Sequence, residues 1–337
     1  MSASLSPYAL FVMNPVHLRE LFPPRLMDRL RQLVRIDPGL VVQDFSDPAA
    51  AAALSRAEVL ITGWGCPHIG APVLDGAPRL RTVLHASGSV RHMVGEPFWE
   101  RGITLSSAVQ ANALPVAEYT LAAILLSGKD AFGLRERFRA EQMYPAPTEY
   151  AAVGNVGRRV GLIGASRVGR RVLELLRPFD LSVSLYDPYV DAAEAARLGA
   201  VSLPLDELLR TSDIVSVHAP DIPQTQGMLS RERLALIPDG GVLINTSRGA
   251  LIDHTALTEE LVSRRISAVL DVTDPEPLPA GSPLYSLPNV FLTPHIAGSL
   301  GNELARLGDT VVQELERITT GLPLAHPVHR AQLAISA

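Results

Sequence analysis

The sequence predicts an α/β fold in two parts, each a parallel sheet covered by helices. Three observations predict it. Short apolar runs of strand length alternate with segments whose apolar residues recur at helical spacing. Elements that alternate in this way lie as parallel strands with helices on the faces of the sheet. The length, 337 residues, suits about two domains. Finally, the stretch from Val160 to Asp187 holds a complete strand–turn–helix–strand unit, with glycines in its turn and an acid at its far end.

The rest of the chain is organised around that stretch. Val160 to Ile163 reads as a short buried strand. The turn is Gly164-Ala165-Ser166-Arg167-Val168-Gly169, and Val168, Val172, Leu173, Leu175 and Leu176 follow at helical spacing. Leu181 to Tyr186 is a second strand, and it delivers Asp187 about twenty positions after Gly164. A helix N-terminus offers unpaired N–H groups and a positive dipole end to a pyrophosphate. An acid at the second strand can accept from ribose hydroxyls. Gly164, Ser166, Arg167, Val168, Gly169 and Asp187 are therefore candidate dinucleotide-binding residues. The glycines alone would also suit a tight turn in any α/β protein, and the flanking strands and Asp187 favour the nucleotide. Ser166 stands where the pattern has glycine, so its side chain either crowds the phosphates or donates to them. Crowding is the expectation.

The other elements follow in order. Tyr8 to Met13 is a strand, Leu18 to Leu33 a helix behind Pro15, Leu40 to Phe45 a strand, and Pro48 to Ser55 a short helix. Val59 to Thr62 is a strand ending in Gly63-Trp64-Gly65. Leu80 to Leu84 is another, ending in His85-Ala86-Ser87-Gly88-Ser89, and Ile103 to Leu105 is a fifth. Ligands of parallel sheets bind at the carboxyl ends of strands. Ser87-Gly88-Ser89 can aim several N–H groups at an anion there, or be a plain turn. Asn112 to Leu126 is a long helix with Glu118 as its one acid, and the polar segment from Lys129 to Tyr150 reads as a connection. Beyond Asp187 come helices at Ala192 to Leu198 and Asp206 to Leu209, then a strand from Ile214 to Val217 ending in His218-Ala219-Pro220. Strands at Val242 to Asn245, Ser267 to Asp271 and Val290 to Leu292 follow, with a helix from Thr255 to Val262 and a last amphipathic helix from Asn302 to Thr320.

Composition excludes several classes. The formal net charge is −5, so the basic footprint of a nucleic-acid binder is absent. Cys66 is the one cysteine. It can form no internal disulfide and no thiolate metal cluster, which points to a reducing cytoplasm and a packed thiol rather than a nucleophile. No uninterrupted apolar run reaches the ~18 residues of a spanning helix, and no secretory leader is expected.

Each of the last three strands delivers a polar group at its end: Thr246-Ser247-Arg248, Asp271 with Glu276 beyond it, and His295. Histidine exchanges a proton near neutral pH. A neighbouring carboxylate orients the ring and favours its protonated form. Arginine grips a carboxylate with a fixed fork. An acid–base pair and a carboxylate clamp beside a nicotinamide is the equipment for reducing a 2-oxo acid. Taken singly, Arg248, Glu276 and His295 would read as a surface cation, a turn acid and a loop histidine. Their joint placement after successive strands favours the site.

With these residues in view, the sequence resembles the D-isomer-specific 2-hydroxyacid dehydrogenases. The matching stretches are Gly164 to Gly169, Val217-His218-Ala219-Pro220 with Thr225, Ile244-Asn245-Thr246-Ser247-Arg248-Gly249-Ala250, Leu270-Asp271-Val272 through Glu276-Pro277, and Thr293-Pro294-His295-Ile296-Ala297-Gly298. The resemblance implies a Rossmann NAD-binding lobe over residues 107–298 and a flavodoxin-like substrate lobe over 1–106, completed by 299–337, with closure of the lobes excluding water. It implies His295 as acid/base, Glu276 as its partner, and Arg248 as the clamp for substrate carboxylate and carbonyl. Ser87, Gly88 and Ser89 would hold the substrate carboxylate. His218, Ala219, Pro220, Thr225 and Thr246 would line the cofactor, Asp271 would hold the nicotinamide carboxamide, and Asp187 would favour NAD over NADP. A homodimer built through the nucleotide lobe is also implied; from charge, hydropathy and cysteine count, no nucleic-acid, membrane or metal partner is expected.

Departures from the family pattern are Ser166 for glycine, Arg91 and His92 after the substrate loop, Thr273 where an aromatic is common, and the lack of a tryptophan before the nucleotide loop. No regulatory domain is expected after residue 330, and His295 separates the chain from formate dehydrogenases. Two functions stay open: a 2-oxoacid reductase, and an NAD-sensing binding protein of the corepressor kind. Net acidity and compact length favour the enzyme.

Overall fold

A computed structural model describes residues 6–333. The chain forms two compact units, one running to Asn112 and resuming at Ser299, the other spanning Ala113 to Gly298. Residues 1–5 and 334–337 of the expected substrate lobe lie outside the described residues.

The first unit holds a five-stranded parallel sheet of β1 (Ala9–Val12), β2 (Val41–Val42), β3 (Val59–Thr62), β4 (Thr82–His85) and β5 (Thr104–Ser107), in the order β2-β1-β3-β4-β5. Every residue of β1, β3 and β4 is buried, because helices cover both faces; that is why these strands read as unbroken apolar runs. Leu10, Val12, Leu60 and Val83 face one core layer with Ala53, Leu54 and Phe98. Phe11, Ile61 and Leu84 face the other, with Leu21, Leu30 and the last long helix, Leu304–Thr319. The buried carboxylate of Glu314 fastens that helix to this unit. It accepts from Ser106 Oγ (2.9 Å) and from the amides of Ala325 (2.8 Å) and His326 (2.7 Å).

The second unit holds seven parallel strands: β6 (Arg158–Ile163), β7 (Leu181–Tyr186), β8 (Val201–Ser202), β9 (Ile214–Val217), β10 (Val242–Asn245), β11 (Ser267–Leu270) and β12 (Val290–Leu292). Their order is β12-β11-β10-β9-β6-β7-β8. This is the doubly wound nucleotide-binding arrangement with a seventh strand, and the order reverses between β6 and β9. The first unit has the flavodoxin-like order, which reverses between β1 and β3.

Short elements at Ala71–Gly76, Glu96–Glu100, Val201–Ser202 and Arg231–Leu234 are not expected from the sequence, the expected strand Leu40 to Phe45 shrinks to Val41–Val42, and three longer elements differ from the sequence reading. The helix expected over Leu18 to Leu33 is broken into Leu18–Leu21 and Pro24–Leu33, because Pro23 and Pro24 cannot continue a helix but suit a new start. The expected connection from Lys129 to Tyr150 contains a helix, Ala131–Glu141, bracketed by Asp130 and Gln142 in left-handed conformations, and a 3-10 turn, Pro147–Tyr150. None of that helix's residues is fully buried, and only Phe132, stacked on Phe291, packs against a core, so no continuous apolar stripe announces it. The long helix runs over Val109–Gly128, and by length and composition it could cross a membrane, which the count of uninterrupted apolar residues missed. Here it is a core helix, with Ala113, Val116, Ala117, Ala123 and Ile124 buried; Glu118 lies on its exposed side.

Candidate active site

The glycine turn follows β6 at the point of strand reversal. Gly164 has φ +99°, and a Cβ there would lie 2.7 Å from Ala219 N, so only glycine fits. A Cβ on Gly169 would lie 2.1 Å from the Gly164 carbonyl oxygen, so the helix and the turn meet backbone to backbone. The third expected glycine is not needed. Ser166 has φ −61° and is the N-cap of helix Arg167–Leu176, where its Oγ accepts from Gly169 N (3.3 Å). Arg167 and Val168 occupy the first turn, where amides have no intrahelical acceptor. Asp187, half-buried just beyond β7, accepts from Ala165 N (2.7 Å) and Tyr189 N (2.8 Å), so the acid also fixes the turn.

His218, Ala219 and Pro220 follow β9 on the other side of the reversal. The His218 ring points inward and is 2% exposed. Its Nε2 meets Ser216 Oγ at 2.9 Å and its Nδ1 has no partner among the described residues. Burial lowers its pKa to about 3, so the imidazole is neutral. Thr225 spends its hydroxyl inside its own loop, on the carbonyls of Pro220 and Ile222. A glycine cradle, a helix N-terminus and an acid at the next strand together fit a dinucleotide.

The loops after β10, β11 and β12 carry the polar groups. Asn245, fully buried, shapes the first: its Nδ2 donates to Arg248 O (2.8 Å) and its Oδ1 accepts from Ser247 N (3.0 Å). Ser247 Oγ donates to Ala219 O (2.8 Å), tying this loop to that of His218. Arg248 is half-buried and has no carboxylate partner among the described residues. A Cβ on Gly249 would lie 2.1 Å from the Thr273 backbone, so the arginine loop rests directly on the segment leading to Glu276. His295 Nδ1 lies 2.6 Å from Glu276 Oε1, with side chains 50% and 42% exposed, which leaves the far nitrogen Nε2 to meet a ligand.

Asp271 is 2% exposed. Its carboxylate accepts from Thr293 Oγ1 (2.7 Å), Ile296 N (2.7 Å) and Ala297 N (2.9 Å), and its carbonyl accepts from His295 N (3.0 Å). The side chain that the family resemblance gives to the carboxamide thus also holds the histidine loop. Sequence reasoning missed this task, and missed Tyr119 and Thr120, whose hydroxyls contact Thr293 and Thr246.

In the first unit, Ser87, Gly88 and Ser89 follow β4. The Ser107 hydroxyl faces the carbonyls of Ser87 (3.0 Å) and Gly88, which turns them back toward the sheet. Ser89 Oγ accepts from Arg91 N (3.4 Å). His85, fully buried beneath this loop, bonds Thr62 Oγ1 through Nδ1 (2.8 Å), and burial lowers its pKa to about 4. The Cys66 thiol is pushed up to about 12 by burial, which removes it as a nucleophile.

Residues 121–297 match the family model described as D-isomer specific 2-hydroxyacid dehydrogenase, NAD binding domain. The chain belongs to this family. As a D-2-hydroxyacid dehydrogenase family member it takes NAD in the matched domain. Over 271 residues it is 31% identical to a D-3-phosphoglycerate dehydrogenase of Mycobacterium tuberculosis, which covers 80% of this chain and 51% of that protein. The chain thus spans about half the length of that relative. A glyoxylate reductase of Korarchaeum cryptofilum is 29% identical over 250 residues, 73% of this chain and 75% of that one. A crystal structure of a D-lactate dehydrogenase from Aquifex aeolicus, complexed with NAD and lactic acid, superimposes with a TM-score of 0.71 at 25% identity, covering 93% of this chain and 96% of that one.

Proposed function

We propose that this chain is an NAD(H)-dependent 2-oxoacid reductase, and in reverse a D-2-hydroxyacid dehydrogenase. The observation that carries the reading is the His295–Glu276 pair, 2.6 Å apart and half exposed, on the sheet edge that also bears the glycine cradle. NADH, when bound, supplies the hydride. Gly164, Ser166, Arg167, Val168, Gly169 and Asp187 would hold it, with His218, Ala219, Pro220, Thr225, Thr246 and Asp271 along its path. His295 gives its proton to the carbonyl oxygen as negative charge grows there, and takes it back in oxidation. Glu276 orients the ring and stabilises the imidazolium. Arg248 grips the substrate carboxylate. The loop of Ser87, Gly88 and Ser89 offers amides to an anion.

Glyoxylate, hydroxypyruvate, phosphohydroxypyruvate and larger 2-oxo acids are the candidate substrates. The test is NADH consumption by the purified protein against a panel of these acids. Turnover of at least one supports the reading. Turnover of none, with NADH still bound, favours the sensor. We further propose a cytoplasmic homodimer built through the nucleotide unit. Exposed Phe138, Met143 and Tyr144, clustered on residues 131–150, support the contact surface, and analytical ultracentrifugation tests it.

A further inference from the structure

Two neighbouring residues on the helix Val109–Gly128 each reach one of the loops that carry the proposed acid/base and the proposed clamp. His295 has φ +55°, a left-handed conformation that strains a non-glycine residue and persists only where the surroundings impose it. Asp271 imposes it, by receiving the amides of His295, Ile296 and Ala297 on its carbonyl and carboxylate. The third donor to that carboxylate is the Thr293 hydroxyl. A threonine has one hydroxyl proton, and this one is spent on Asp271. The Tyr119 hydroxyl, 2.8 Å from Thr293 Oγ1, is therefore the donor in their contact. Burial, the largest effect, raises the Tyr119 pKa, so the phenol keeps the proton it donates.

The same count applies to the next residue. Thr120, fully buried, donates to Val116 O at 2.8 Å, so in its 2.9 Å contact Thr246 is the donor. Thr246 is the first residue beyond β10, two before Arg248. Neither Tyr119 nor Thr120 touches Arg248, Glu276 or His295 by a hydrogen bond.

We infer that Tyr119 and Thr120 are positioning residues. Tyr119 sets the His295 ring against Glu276 through Thr293 and Asp271, and Thr120 sets the Arg248 loop through Thr246. This rests on the proposed roles of His295 and Arg248, and it separates the two loops by function. Disturbing Tyr119 should disturb proton transfer, and disturbing Thr120 should disturb substrate binding.

The experiment uses Tyr119→Phe and Thr120→Val in the full-length protein, assayed with whichever 2-oxo acid the panel identifies. Tyr119→Phe should lower kcat about fivefold to tenfold, the scale of one hydrogen bond, with KM for the oxo acid unchanged. Thr120→Val should raise that KM on the same scale with kcat unchanged. Proton NMR supplies a second readout: the downfield Nδ1–H resonance of the His295–Glu276 pair should move or broaden in Tyr119→Phe and stay put in Thr120→Val. Thr293→Ser, which keeps the hydroxyl, should behave as the parent, and Thr293→Val as Tyr119→Phe. Equal losses of kcat and KM in both variants, or parental kinetics with a parental resonance, would overturn the inference. His295→Ala separates the two levels: if it retains full activity, the proposed function fails as well; if it is inactive while Tyr119→Phe is parental, only the positioning role falls.

Discussion

His295 Nδ1 and Glu276 Oε1 lie 2.6 Å apart although 19 positions separate them in the chain, because β11 and β12 are adjacent parallel strands and their outgoing loops meet. The contact leaves one ring nitrogen for chemistry and fixes the other. A positioned acid–base group contributes about 10²–10⁴-fold in rate. His295→Ala should therefore lose activity on that scale while NADH still binds, as read by nucleotide fluorescence.

Glu276→Gln removes the carboxylate that holds the ring through Nδ1. It should lower kcat on the order of tenfold, the scale of one charge-assisted hydrogen bond, with NADH binding unchanged. A parental kcat would mean that the pair does not work together.

Arg248→Lys keeps the charge but loses the planar fork. It should chiefly raise KM for the oxo acid, since an ammonium cannot form the two parallel bonds. A variant with parental KM would place the carboxylate elsewhere.

Asp187 should repel a 2′-phosphate, so NADH should be preferred over NADPH; comparable catalytic efficiency with both would refute this role. Ser166 tests the same cradle from the other side. Its oxygen occupies the Gly169 amide, a first-turn donor of the kind a phosphate would use. Ser166→Gly should tighten NADH binding while lowering helix stability by only a few tenths of about 1 kcal/mol. Weaker binding in an NADH titration would show that the hydroxyl serves the phosphate instead.

His85 titrates at about 4 in the folded unit because it is buried, and near 6.5 when unfolded. Between those values the unfolded chain binds the extra proton. Stability is therefore full above about pH 6.5 and falls as pH drops, by up to about 1.4 kcal/mol per pH unit, until about pH 4. His85→Asn should flatten this dependence for the first unit in urea denaturation followed across that range. An unchanged acid slope would exclude His85 as its source.

Much of the architecture is legible in the sequence. The strands Val59–Thr62, Leu181–Tyr186, Ile214–Val217, Val242–Asn245 and Val290–Leu292 stand where apolar runs end in turn residues. Most are buried on both faces by helices, and a strand so placed must be apolar at nearly every position. The glycine turn and Asp187 are legible for a similar reason, since backbone clearance at Gly164 and Gly169 admits no side chain. What tertiary structure decided are the partners of the polar groups. Tyr119 meets Thr293 across 174 positions, and Thr120 meets Thr246 across 126. Ser166 caps a helix instead of merely replacing a glycine, and Asp271 folds the histidine loop around itself. A buried polar atom must find a partner, but which one depends on strand register and helix packing, and neither is written in local periodicity. The helix Ala131–Glu141 is not legible for the converse reason: none of its residues is fully buried and Phe132 alone stacks on Phe291, so little in its pattern distinguishes it from a polar connection.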